Sequence, residues 1–181
     1  MRVVDTVIGV GWLAFWVYWL AMSANVKTGR TRWGQFAGFR VALIIIILLL
    51  LRFRLVKGQV VRSPLLEGIG LAIWVLGLAL AVWARVYIGR NWGMPMTRKD
   101  SPDLVTSGPY HRIRHPIYAG ILLALVGTTV AVSLYWLVAV VLIGAYFIYS
   151  AVNEERYMTE EFPDSYPAYK HSTKMLIPFL L

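Results

Sequence analysis

Residues 115–155 read HPIYAGILLALVGTTVAVSLYWLVAVVLIGAYFIYSAVNEE, and no charged side chain occurs between Arg114 and Glu154. One continuous helix over its apolar part, 117–152, would be roughly 50 Å long at about 1.5 Å per residue. A bilayer core is only about 30 Å thick. The two threonines and the glycine of GTTVAVS supply a place to reverse. The stretch therefore predicts two membrane spans, 117–132 and 134–152, folded against each other as a helical hairpin.

Working outward, three further apolar runs predict spans at 6–24, 36–51 and 65–88, which makes an all-α integral membrane protein of five helices. The composition agrees: of 181 residues, 59% are hydrophobic and 15% are charged, against about 25% charged in soluble domains. Eight tryptophans and ten tyrosines suit the interfacial belts of a bilayer. The first span has no small-residue cleavage site after it, so it reads as retained and not as a signal peptide. The chain divides into residues 1–84, chemically bland, and residues 85–181, which hold nearly all the unusual polar groups.

The net charge of +9 follows the loops. Lys27, Arg30, Arg32, Arg85, Arg90, Arg98, Lys99, Arg112, Arg114, Arg156, Lys170 and Lys174 fall on one side of a five-span chain. Arg2, Arg52, Arg54, Lys57 and Arg62 fall on the other, and Arg40 sits inside the start of the second span. The positive-inside rule then places the N-terminus outside and the C-terminus in the cytoplasm. Basic residues that flank spans meet anionic lipid headgroups, and no separate basic domain points to nucleic acid. Disulfides, thiolate ligands and a cysteine nucleophile are excluded because the chain has no cysteine. The three histidines have no metal-ligand spacing, and neither a P-loop nor a glycine-rich dinucleotide fingerprint occurs.

Two segments can carry chemistry. In SGPYHRIRHPIYAG (107–120), Pro116 marks a helix start, where free N–H groups and the positive end of the dipole favour a carboxylate or phosphate. His115 and Tyr118, three apart, share a face of that helix. In YFIYSAVNEERYMTEEF (146–162), Tyr146, Ser150, Asn153 and Glu154 form a polar stripe. The Glu154–Glu155 pair falls where the helix is expected to end, against its dipole, which implies cationic or hydroxyl-rich partners. Interfacial anchoring for the first segment, and solvated glutamates for the second, remain open on residue chemistry alone. The tail FPDSYPAYKHSTKMLIPFLL (162–181) can fold back as a cover.

The joint occurrence of LVTSGPYHRIRHPIYAG, an apolar pair of spans, NEERYMTEEFPDSYPAY and LIP resembles the isoprenylcysteine carboxyl methyltransferase family, grouped with the phospholipid methyltransferases. The resemblance covers residues 85–181. It implies S-adenosylmethionine as cofactor, held on the cytosolic side between the last two spans and closed in by the C-terminal tail. Cofactor contacts carry over to Leu104, Val105, Tyr110, His115, Pro116, Tyr118 and Glu154, with Glu155 as the partner of Glu154. Arg114, Glu155 and Asn91 are the expected catalytic residues, Arg114 for an anionic group and Glu155 for a proton. Ser150, Arg90, Trp92 and Tyr146 are expected on the substrate side. Asn91 and Trp92 recur in bacterial-type relatives and are expected to close the pocket, and the expected location is a prokaryotic cell membrane.

Two positions depart from the family. Ser150 stands where prenylcysteine enzymes carry an arginine, and Phe162-Pro163 replaces Phe-Gly. An uncharged Ser150 argues against a prenylcysteine carboxylate, because an unpaired buried carboxylate is costly. The expected acceptor is an amphiphilic or small hydrophobic molecule entering from the bilayer. A nicotinamide-dependent reductase of sterol-reductase type, or a membrane protein without enzymatic activity, are the competing readings.

Because the chain lacks cysteine, single Gly58→Cys and Ser172→Cys variants test the orientation. On intact cells an impermeant thiol reagent is expected to label position 58 and to spare position 172. The reverse pattern would invert the topology.

Overall fold

The computed structural model describes residues 2–23, 29–31, 45, 59–93, 97–99 and 102–177. Helices form where the hydropathy rises: α1 Val3–Ser23, α2 Pro64–Ile88, α3 Pro116–Ala131, α4 Leu137–Glu161 and the short α5 Tyr166–Ser172. Proline stands in the first turn of α2, α3 and α5, where its missing N–H sacrifices no intrahelical bond. Apart from a two-stranded antiparallel ribbon, β1 Gly29–Thr31 paired with β2 Thr97–Lys99, the described residues are helical or irregular.

Among the described residues three helical stretches have the length and apolarity to cross a membrane: Val3–Met22, Pro64–Asn91 and Leu134–Glu161. At 16 residues α3 is shorter than the roughly 20 that a full crossing takes. The expected span at 36–51 lies outside the described residues. Arg2 bonds Glu67 at 2.9 Å and Arg85 bonds the Met22 carbonyl at 2.7 Å. Thus α1 and α2 run in the same direction, as a chain that recrosses between them would require.

The closest helix pair is α2 with α3, and glycine makes it so. A Cβ at Gly120 would lie 2.6 Å from the Ala81 nitrogen, and one at Gly77 would overlap the Ala124 backbone. Gly70 and Gly127 repeat the arrangement seven residues away on each helix. Ala81, Ala84, Ala124 and Ala131 fill the remaining contacts and are buried. Small residues let two helix backbones approach, so dispersion and carbonyl contacts replace side-chain packing. The third span is therefore not bland: its small residues are a packing surface. α1 closes over this pair through Trp12, whose indole donates to Thr128 Oγ1 at 3.0 Å.

Residues 132–136 join α3 to α4 through a single 3-10 turn, Leu134–Trp136. They are stitched to the residues preceding α2 by Val61 N to Val132 O at 3.1 Å and Leu134 N to Gln59 O at 3.2 Å. At the same end Arg2 clasps Asp5, Glu67 and the carbonyls of Val61 and Val132. α4 runs antiparallel to α3, with Gly144 near Leu122 and Phe147 stacked on Tyr118 at 4.4 Å.

Two expectations change. The last span was placed at 134–152, yet α4 continues to Glu161, because Glu, Arg and Met sustain a helix until Pro163 approaches. Glu154 and Glu155 thus lie well inside a helix, and an unfavourable dipole at a helix end is not their constraint. Arg85, counted as a loop cation, lies within α2 and is 1% exposed.

Substituting alanine at Gly77 or Gly120 should force α2 and α3 apart at a cost of about 1–3 kcal/mol. Gly68→Ala, which meets nothing within 4 Å, should be neutral or slightly stabilising. Thermal unfolding in detergent decides, and equal melting temperatures for all three would refute the close-contact account.

Candidate functional site

At the end of the bundle away from Arg2, a cavity opens between the end of α2, the start of α3, the cytosol-predicted half of α4 and α5. The segment before α3 is built for rigidity. Gly108, at φ +59, lies over the Tyr87 ring, where a Cβ would be 2.6 Å from ring carbons. Pro109 and Tyr110 are buried in the following 3-10 turn. From there the chain pairs with the tail: Arg114 N donates to Lys174 O at 2.8 Å and His115 N to Met175 O at 3.0 Å. Lys174 N returns a bond to Arg112 O, and the Tyr169 hydroxyl donates to Tyr110 O at 2.6 Å. The tail is a fixed wall joined to the loop by backbone bonds.

The two glutamates divide. Glu154 is in the cavity wall. Its Oε1 accepts from the Tyr118 hydroxyl at 2.5 Å, and its Oε2 lies 3.5 Å from His115 Nδ1. Tyr118 is stacked between His115 and Phe147, with centroids at 5.4 and 4.4 Å. Glu155 points away from the cavity and is 2% exposed. Its carboxylate is held by Arg114 Nε at 2.6 Å and Lys170 Nζ at 2.8 Å, and lies 3.5 Å from His115 Nε2. Arg114 also donates to the carbonyls of Lys170 and Thr173. Glu155 therefore joins α4, the α3 entry loop and α5.

Ten of the fourteen residues singled out from sequence line this cavity. Leu104, Val105, Tyr110, His115, Pro116, Tyr118 and Glu154 do, as do Arg114, Asn91 and Trp92. The other four lie off it. Glu155 is sealed below, Ser150 is fully buried in α4 with no hydrogen-bond partner on its hydroxyl, Tyr146 packs beside Phe147, and Arg90 is exposed. Asn91 donates to Asp103 at 3.0 Å, which ties the end of α2 to the 102–105 segment.

The sequence reading missed Tyr157, Met158 and Glu161 in the wall. With Glu154 they recur at three, four and seven residues, a helical periodicity hidden only because the helix was ended at Val152. Tyr166 and Tyr169 from α5 complete the wall. Burial pushes the Tyr169 hydroxyl up to about 12 and raises those of Tyr110 and Tyr166. All three remain protonated donors at neutral pH.

Removing one partner of a buried ion pair strands the other charge. Glu155→Gln is expected to lower stability by about 3 kcal/mol through the stranded Arg114. Lys170→Gln, removing a half-exposed partner, should cost about 1 kcal/mol or less. Thermal unfolding separates them, and equal effects would dissolve the assignment of Glu155 as the junction.

Residues 66–165 match the family model for phospholipid methyltransferases. The chain is 32% identical over 121 residues to the cobalt-zinc-cadmium resistance protein CzcN of Cupriavidus metallidurans, a match covering 65% of this chain and 51% of that protein. It is 29% identical to protein-S-isoprenylcysteine O-methyltransferase B of Arabidopsis thaliana, over 64% of this chain and 60% of that one. The nickel-cobalt-cadmium resistance protein NccN of Alcaligenes xylosoxydans is 28% identical, over 61% of this chain and 50% of that one. The matched regions span about half to three fifths of these relatives. With the family model covering more than half of its length, including the whole of α3 and α4, the chain belongs to the phospholipid methyltransferase family.

Proposed function

We propose that this protein is an S-adenosylmethionine-dependent methyltransferase of the membrane, acting on an amphiphilic or small hydrophobic acceptor through a carboxylate, amine or thiol. The observation that carries the reading is Glu154, set in the cavity wall between Tyr118 and His115. Family membership supports methyl transfer. The metal resistance in the names of two relatives belongs to those proteins.

The residues present fit the cofactor. A carboxylate suits its cationic or hydroxyl groups, and Trp92, Tyr157 and Tyr166 offer flat faces for a base. Ile88, Leu104 and Val105 give an apolar lining that excludes water. The start of α3 presents N–H groups suited to a carboxylate. When bound, the cofactor supplies an activated methyl group on a sulfonium.

The chain's own contribution is alignment. The His115–Tyr118–Phe147 stack and the Tyr118 hydrogen bond hold the Glu154 carboxylate in one orientation. Arg114 and Glu155 neutralise each other and hold His115 and the tail, so both act by positioning. Holding two reactants in line in a dry site lowers the barrier by several kcal/mol without a general base. Ser150, uncharged and sealed, offers no counter-charge to a substrate carboxylate. On the five-span reading of the sequence, the positive-inside rule turns the cavity to the cytosol, and the acceptor arrives from the lipid.

Calorimetry on detergent-purified protein tests the reading. S-adenosylmethionine should bind, and nicotinamide dinucleotides should not. Glu154→Gln should weaken binding by about 1–3 kcal/mol, and wild-type affinity in that variant would remove Glu154 from the site. A labelled-methyl screen against lipid extract, small thiols and prenylcysteine analogues then identifies the acceptor.

A further inference from the structure

Among the described residues Arg85 is the largest fully buried side chain, 1% exposed and inside a helix long and apolar enough to span a membrane. A guanidinium there is expensive unless it is compensated. No carboxylate among the described residues pairs with it. Its compensation comes from two helix ends. Nη2 donates to the Met22 carbonyl in the last turn of α1 at 2.7 Å. Nη1 donates to the carbonyl of Gly89, the residue that ends α2 at φ +54, at 2.9 Å. Both acceptors stand at the negative ends of helix dipoles, where a cation is favoured. The third face of the guanidinium lies over the Trp92 ring, 4.5 Å from its centroid. Trp92 in turn meets Trp19 of α1 edge-on at 5.6 Å.

We propose that Arg85 is a positioning residue for the cavity: it sets the Asn91–Trp92 wall by gripping both helix ends and the Trp92 ring, and so makes α1 a working part of the site. The cofactor-binding arm of its test rests on the methyltransferase reading above. The geometry explains why the chain can turn sharply after α2 and still present a fixed wall. The 3-10 turn Gly89–Asn91 follows directly on the gripped carbonyl, so its position depends on the guanidinium. Lysine can replace the charge but not the planar stack or the fork of two donors.

Two measurements test it. In protein labelled with 5-fluorotryptophan, the Trp92 resonance is identified by its loss in Trp92→Phe. Arg85→Gln should move or broaden that resonance, and Trp19's beside it, while leaving in place that of Trp74, about three turns earlier in α2; an unmoved Trp92 signal overturns the proposal, whatever the ligand. In calorimetry with S-adenosylmethionine, Arg85→Gln and Trp92→Leu should each weaken binding about tenfold, and Arg85→Lys by less. The double variant should be no weaker than either single one, as expected of two residues acting through one contact. Additive losses, or wild-type affinity in folded Arg85→Gln, would reduce Arg85 to a purely structural ion. Failure of the wild type to bind S-adenosylmethionine would count against the methyltransferase reading, and the fluorine signal would still decide the role of Arg85.

Discussion

The backbone contact between α2 and α3 sets the geometry of everything around the cavity. Gly70 faces Gly127 and Gly77 faces Gly120, so the two helix axes are locked in separation and in register. The last turns of α2 then carry Arg85, Asn91 and Trp92 to the level at which α3 begins with His115, Pro116 and Tyr118. Two cavity walls that are about 25 residues apart in sequence are thus placed by a close contact of glycines and alanines. A methyl group inserted at this contact acts at the cavity because rigid helices transmit the displacement along their length.

The second constraint is electrostatic and lies on α4. Adjacent glutamates on a helix point roughly 100° apart, so one can face a cavity while the other faces the protein. Glu154 takes the first role with a tyrosine hydroxyl as donor, and Glu155 takes the second among Arg114, Lys170 and His115. The burial of Glu155 is tolerable because two cations and an imidazole surround it, and those same cations fix the tail. An acid pair that looks uniform in sequence is divided by geometry into a cavity-facing group and a structural junction.

Much of this was legible in the residues. Apolar runs predicted the helices that are described, and the limits of α1, α2 and α3 agree to within a few residues. The motif around His115–Pro116 and the Glu154–Glu155 pair located the cavity, because proline fixes a helix start and carboxylates are rare beside a bilayer. Less legible was whatever depends on neighbours distant in sequence. Glycines at 70, 77, 120 and 127 look permissive until two helices are seen to share them. Arg85 was counted with the loop cations although it falls inside the expected span 65–88, and only its neighbours show that its side chain is turned inward and buried. The wall residues Tyr157, Met158 and Glu161 were lost to a helix ended where its hydrophobicity fades, although its polar continuation keeps the same period. Ser150 lies next to the right segment but is turned into the packing, a distinction that only side-chain direction decides.

The charge balance gives a last constraint on how the molecule uses its cations. The chain carries a net charge of +9, yet the buried guanidinium of Arg85 and the cations around Glu155 are committed within the described residues. Arg114 and Lys170 are spent on Glu155, and Arg85 on two helix ends and an indole. The cavity wall itself presents Asp103, Glu154 and Glu161. The excess positive charge therefore belongs to the protein surface, where it suits anionic lipid headgroups. The cations that hold the fold together are thus separate from those that meet lipid, so packing of the tail and attachment to an anionic membrane surface do not compete for the same side chains.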